Sequence, residues 1–232
     1  MDKADIRTLV GELHKPAPRP KQWRKVITSG IDDTWAIDLA DLKAFKDVNN
    51  GFEYWMVVED IFSRFCWVEP IKNKEAATTW AALLRVFETA GVRPRHIWSD
   101  SGKEFVNDLW KRNLKSLGIT PYTTYHVSGV GPVERLIRTI KNWIYPELEI
   151  AGSNTWTELL PRYVELYNTT THTTLGMTPL QARDPDKESQ LWIHQYGDAA
   201  SATTTQKPKF RVGQWVRVSV HKHIFEKGFT PN

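Results

Sequence analysis

One cysteine, Cys66, stands among 232 residues. That excludes an intrachain disulfide and any multi-cysteine zinc site built from this chain alone. A reducing compartment is the expected setting. No apolar run approaches the roughly 20 residues needed to cross a bilayer, so no membrane partner is expected. The opening residues, Met1-Asp-Lys-Ala-Asp-Ile-Arg7, lack the apolar stretch of a secretory signal. No internal repeat is found. What is present is 41% hydrophobic residues, enough for a sizeable core, and a length that suits one large domain plus an appendage.

The net charge is only +4, but it is unevenly placed. Residues 1–30 hold seven Lys/Arg against three acids, and residues 207–232 hold six against one. Basic ends on a nearly balanced middle suit a polyanion such as DNA, or are simply solvated tails.

Pro16, Pro18 and Pro20 mark residues 1–30 as a basic N-terminal arm, with a short helix near 4–13. Aromatic and β-branched residues predict strands at Trp35–Leu39, Tyr54–Glu59 and Phe65–Ile71, joined as an antiparallel meander. The spacing of Ala77, Trp80, Ala81, Leu84 and Phe87 predicts a helix over 75–90, stopped by Gly91. A short strand at 96–100 follows. A helix over 106–117 comes next, with Asn107 as its N-cap and Gly118 as its terminator, and then a strand at 121–125. Three strands, helix, strand, helix, strand is the order of an RNase H-like α/β fold, a five-stranded mixed sheet flanked by helices.

A loop at 126–132 should precede a helix from Val133 to about Tyr145, kinked or ended by Pro146. Further helices are expected over 155–168, 178–183 and 187–196. Residues 31–198 would then form the main domain and 199–208 a linker. Residues 209–232 would be the start of a small β-barrel, chromodomain-like, beginning with a strand at Phe210–Val220 and cut short before it closes.

Three carboxylates sit in distinctive surroundings. Asp38 lies in Thr34-Trp-Ala-Ile-Asp-Leu39, Asp100 in Ile97-Trp-Ser-Asp-Ser-Gly-Lys-Glu-Phe105, and Glu134 in Gly131-Pro-Val-Glu-Arg135. A carboxylate flanked by apolar residues on a central strand needs a cation, a metal or donors. Oxygen ligands suit Mg²⁺, and paired ions suit phosphodiester chemistry. Taken alone, however, three acids are as well read as surface charges.

Their blocks resemble the catalytic core of retrovirus-type (DDE) integrases. So do Val58-Glu-Asp-Ile-Phe-Ser-Arg-Phe65, Arg138-Thr-Ile-Lys141 and Tyr167-Asn-Thr-Thr-Thr-His-Thr-Thr-Leu-Gly-Met-Thr-Pro179. The blocks occur in the family's order over about 34–185. The tail Phe210-Arg-Val-Gly-Gln-Trp-Val-Arg-Val-Ser219, with Phe225–Pro231, is most like integrases of Maverick/Polinton transposons and virophages. The resemblance implies that Asp38, Asp100 and Glu134 are the catalytic residues and hold two Mg²⁺ or Mn²⁺ ions. The segment between Asp100 and Glu134 is two residues short of the family's usual spacing. The family's His/Cys zinc domain is not recognisable here.

The activity implied is that of a polynucleotidyl transferase, which trims and joins double-stranded DNA ends to target DNA. It implies a homo-oligomer and a nuclear site of action. The rivals are a nuclease that does not join, and an inactive DNA- or chromatin-binding protein. Glu134, Arg138 and Lys141 recur at helical spacing on one face, with Ile137, Ile140 and Ile144 opposite, so the two cations are candidate DNA contacts. Arg135, Asn142, Tyr125 and His126 are weaker ones. His172 is expected to be structural, Cys66 to be buried packing, and Glu59 and Asp60 to cap the turn at Ser63. Asp41 and Glu104 lie close enough to the proposed site to be mistaken for ligands.

Overall fold

The computed structural model describes residues 26–124, 130–201 and 211–215. The N-terminal arm before residue 26, and Tyr125 and His126, lie outside the described residues. Val26–Ser201 is one compact unit. Its five strands are β1 (Thr34–Asp41), β2 (Tyr54–Asp60), β3 (Cys66–Ile71), β4 (His96–Asp100) and β5 (Thr120–Thr124). Its helices are α1 (Ala76–Ala90), α2 (Asp108–Ser116), α3 (Gly131–Ile150), α4 (Leu160–Thr169), α5 (Pro179–Ala182) and α6 (Glu188–Ser201).

The sheet order is β3-β2-β1-β4-β5. The meander β1–β2–β3 is antiparallel, and β4 and β5 add in parallel. This is the mixed RNase H-like sheet expected from the element order. Each face is covered because side chains alternate along a strand. Trp35 and Ile37 face α1 and α2, packing with Leu83, Val86 and Trp110. Ala36 and Ala40 face α3 and α4, packing with Leu136, Ile140 and Trp156. A smaller cluster joins Phe62 to Leu175, Ala182 and Leu191.

Several helices differ from expectation in instructive ways. The buried side of α1 is Thr79, Ala82, Leu83, Val86 and Phe87, while Ala77, Ala81 and Leu84 are exposed. A polar residue rotates the stripe. Thr79 Oγ1 lies 3.2 Å from the Glu104 carbonyl and accepts from Trp110 Nε1 at 3.1 Å, so its hydroxyl is satisfied in the core. Helix α3 passes through Pro146 rather than ending there. Asn142 and Pro146 are both exposed, so water can satisfy the carbonyl that proline leaves unpaired. Helix α4 starts at Leu160 instead of 155. The amides of Trp156 and Thr157 are taken by the Asn49 side chain at 2.8 and 3.1 Å, and Pro161 suits a first turn.

Arg211–Trp215, described by itself, is a turn closed by Gln214 N donating to Arg211 O at 3.1 Å. Gly213 sits at φ +87°, a left-handed conformation that a strand does not contain. This part of the expected Phe210–Val220 strand is therefore not extended. The rest of the expected barrel lies outside the described residues.

Candidate active site

The site begins with the pairing of β1 and β4. Thr34, Trp35 and Ala36 lie beside His96, Ile97 and Trp98. That pairing ends two residues short of Asp38 and Asp100, so the two acids stand just beyond it on adjacent strands. Asp38 shares a face with Ala36 and Ala40, and Asp100 shares one with Trp98. All three of these neighbours pack in or against the α3-side cluster. Glu134 stands in the first turn of α3. The flanking Val133 and Leu136 are buried in that same cluster, which pins this turn to the sheet. The three acids therefore belong to one layer of the fold.

Asp38 is half-buried, and its carboxyl is pushed up from 3.8 to about 6. Burial is the largest cause. The Leu39 amide opposes it, donating to Oδ1 at 2.8 Å. The negative charges of Asp100, Glu134 and Glu104 then each raise it further. Asp100 is oriented by Gly102 N, which donates to its Oδ1 at 3.0 Å. A Cβ at residue 102 would fall 2.9 Å from Asp100 Oδ1 and 2.8 Å from the Glu104 carboxyl carbon. Glycine there leaves room for two carboxylates at one bend of the chain. Glu104 thus stands beside the triad as a fourth acid. The local cue was Asp100-Ser-Gly-Lys-Glu104, where one glycine lets the second acid fold back.

Among the described residues, no three His, Cys, Asp or Glu side chains are drawn tightly enough to enclose an ion. The donor set itself suits a divalent metal such as Mg²⁺, since it offers only hard carboxylate oxygens. A half-buried carboxylate repelled by its neighbours is what a dication would relieve.

The expected DNA contacts divide. Arg138 and Asn142 are exposed on α3. Lys141 is half-buried, and its Nζ donates to the Asp41 carbonyl at 3.1 Å. Burial lowers its ammonium's pKa, with Asp41 opposing, so this cation is tethered at the end of β1. Ile140 and Ile144 are buried and Ile137 partly so. Arg135 faces elsewhere, into a cleft it shares with Glu59, Arg64 and His172.

The other residues singled out are structural. His172 N donates to Met177 O at 3.0 Å, and its ring meets Tyr167 edge-on at 4.6 Å. Cys66 is buried and its thiol is pushed up by burial. Asp60 does cap the hairpin, accepting from Ser63 N at 3.1 Å and Ser63 Oγ at 2.5 Å. Glu59 does not; it turns to Arg64, with Oε1 3.6 Å from the guanidinium. Alternation puts it on the other face of β2.

Residues 32–126 match the integrase core domain family. A transposon-derived protein of Caenorhabditis elegans is 27% identical over 188 residues, 81% of this chain and 62% of the relative. The Pol polyprotein of Radiation murine leukemia virus is 33% identical over 132 residues, 55% of this chain and 22% of the relative. The chain therefore spans less than two thirds of either relative. The catalytic core domain of HTLV-2 integrase, solved in complex with magnesium in a trimeric form, is 22% identical with a TM-score of 0.55. It covers 68% of this chain and 99% of its own, and the likeness is one of fold. The family match thus covers the sheet and its first helices, and the likeness to the solved core shows the fold.

Proposed function

We propose that the chain is the catalytic part of a DNA integrase of a mobile element or virus, a polynucleotidyl transferase that processes 3′ ends and transfers strands. The observation that carries this reading is that Asp38 and Asp100 stand on strands paired in parallel, with Glu134 in the first turn of α3. Two of those acids fall inside the integrase core match. Asp38, Asp100 and Glu134 would hold Mg²⁺ or Mn²⁺. Bound there, two ions would supply the charge that activates an attacking oxygen and stabilises a leaving one.

The chain's own residues do the rest. The Leu39 and Gly102 amides orient two carboxylates. Helix α3 brings the third carboxylate and lines up Arg138 and Lys141 for phosphates next to the scissile bond. In end processing, water attacks the phosphorus and frees a 3′-hydroxyl. In joining, that hydroxyl attacks a target phosphorus and the target's own 3′ oxygen leaves. One phosphodiester forms as one breaks, so no co-reactant is consumed.

The trimeric form described for the HTLV-2 core supports a multimer, because two DNA ends must be joined in one assembly. The transposon-derived relative supports a mobile-element source, and the tail motif favours the Maverick/Polinton and virophage group. A chromosomal target would put the work in the host nucleus.

The test is metal-dependent strand transfer on a labelled duplex of candidate element ends, parent against Glu134→Gln. Joined product from the parent only is expected. Cleavage without joining would instead indicate a nuclease. DNA binding with no product from either chain would indicate a binding module.

A further inference from the structure

Beneath the far side of α3 lies a cleft of about 340 Å³ that the catalytic reading does not use. Its floor is Glu59, whose side chain is only 2% exposed. Oε1 lies 3.6 Å from Arg64 NH1, while Oε2 is buried with no hydrogen-bond partner among the described residues. Arg135 and Thr139 of α3 form one wall, and the threonine-rich turn 170–174 with His172 forms the other.

Three features set this cleft apart from ordinary surface. First, two guanidiniums, Arg64 and Arg135, line the cleft against one carboxyl, Glu59. The charged side chains of the lining therefore leave an excess of positive charge. Second, Arg64 sits at φ +61°, a left-handed conformation that is unfavourable for a residue with a side chain. The hairpin holds it there with Asp60, which accepts from the Ser63 amide, while the Arg64 N–H donates to Asp60 O at 2.8 Å. Third, Glu59 meets the Arg64 fork at one nitrogen only, 3.6 Å away, and no other acceptor for the fork is found among the described residues. A planar fork with free donors is suited to a tetrahedral oxyanion.

We propose that this cleft is a second phosphate site, in which Arg64 and Arg135 grip a backbone phosphate of DNA and Glu59 holds the Arg64 guanidinium in place. The proposal rests on the DNA-processing reading. Arg135 follows Glu134 directly, so the cleft and the proposed metal site share the first turn of one helix. The positive N-terminal end of α3 lies at the same edge, where Pro132 lines it. Arg64 and Glu59 are positioning and binding residues here, not catalytic ones.

The experiment is a salt titration of the full chain binding a labelled duplex in metal-free buffer, read by fluorescence anisotropy. Each phosphate contact adds about 0.9 to the slope of log affinity against log salt. Arg64→Gln and Arg135→Gln should each lower that slope by up to about 0.9 and weaken binding several-fold at 0.1 M salt. Arg135 is exposed, so its variant reports even if Arg64→Gln folds poorly over an unpaired Glu59. Unchanged slopes in both variants, with the parent binding DNA, would overturn the site and leave the integrase reading intact. A parent that binds no duplex would overturn both. A parallel thermal-shift arm compares inorganic phosphate with chloride at matched ionic strength. Arg64-dependent stabilisation by phosphate, with no change in the DNA slopes, would make this a free-anion site and overturn the backbone assignment.

Discussion

Asp38 and Asp60 lie one strand apart, on β1 and β2, and burial pushes both carboxyls to about 6. Their surroundings are opposite. Asp60 is fully buried and accepts from the Ser63 amide and hydroxyl, with the Arg183 charge at 3.9 Å set against that of Asp32. Asp38 receives one amide and is otherwise surrounded by the charges of Asp100, Glu134 and Glu104. The same proton affinity thus marks a finished structural joint in one place and an unmet demand for positive charge in the other. A raised carboxyl is informative only with its neighbours named.

The comparison breaks most sharply by amide substitution. Asp38→Asn should reduce strand transfer to the background of the assay while leaving the fold intact. By removing like-charge repulsion it should also stabilise the metal-free chain, by about 0.5–2 kcal/mol. Asp60→Asn should do the reverse. It takes a charged acceptor from the Ser63 amide and hydroxyl and sets an amide N–H₂ against them, costing about 1–3 kcal/mol, while Arg183 keeps its paired bonds to Asp32. Urea unfolding of both variants checks the pair, and equal destabilisation by the two changes would erase the distinction. Divalent metal sharpens it further. Mg²⁺ at about 100 times its dissociation constant should stabilise the parent by roughly 2.7 kcal/mol. The same addition should do much less for Asp38→Asn, as read by melting with and without chelator.

The smallest effect is in pH. Glu59 is raised to about 7, and Asp38 and Asp60 to about 6. Each binds its proton more tightly in the folded chain than in the unfolded one. Their stabilising contribution is therefore complete below the unfolded carboxyl range and is lost as pH rises through 6 and 7. Between pH 5 and pH 8 the urea midpoint should fall in metal-free buffer, and Glu59→Gln should flatten the upper part of that decline. A midpoint that rises over the same interval would contradict the order of causes at these buried acids.

Much of this architecture was legible because the sheet is patterned simply. The strands announce themselves through aromatic and β-branched residues, and Asn107 and Gly91 mark helix ends where local chemistry decides the matter. Asn107 accepts from Trp110 N, and Gly91 takes φ +68°. What escaped depended on partners distant in sequence. Thr79 reads as a surface residue until Trp110 and the Glu104 carbonyl meet its hydroxyl. The start of α4 was hidden in the side chain of Asn49, more than a hundred residues away. The site divides in the same way. The three acids were proposed from their flanking motifs and Glu104 was expected near them, but the bend at Gly102 that folds it back was not foreseen. The turn of Arg135 away from Arg138 toward Glu59 followed from how α3 sits on the sheet.

The pairing of β1 with β4 turns the site into a caliper. That pairing joins Thr34–Ala36 to His96–Trp98, so two jaws, at Asp38 and Asp100, are carried just beyond it on strands of one sheet. The third, at Glu134, rides on a rod clamped to that sheet by Val133, Leu136 and Ile140. The clamp sets its reach, not the length of chain leading to it. A connection from β5 to α3 that gains or loses a residue or two can therefore leave the gauge unchanged, whereas a one-residue slip between β1 and β4 would turn a jaw to the wrong face.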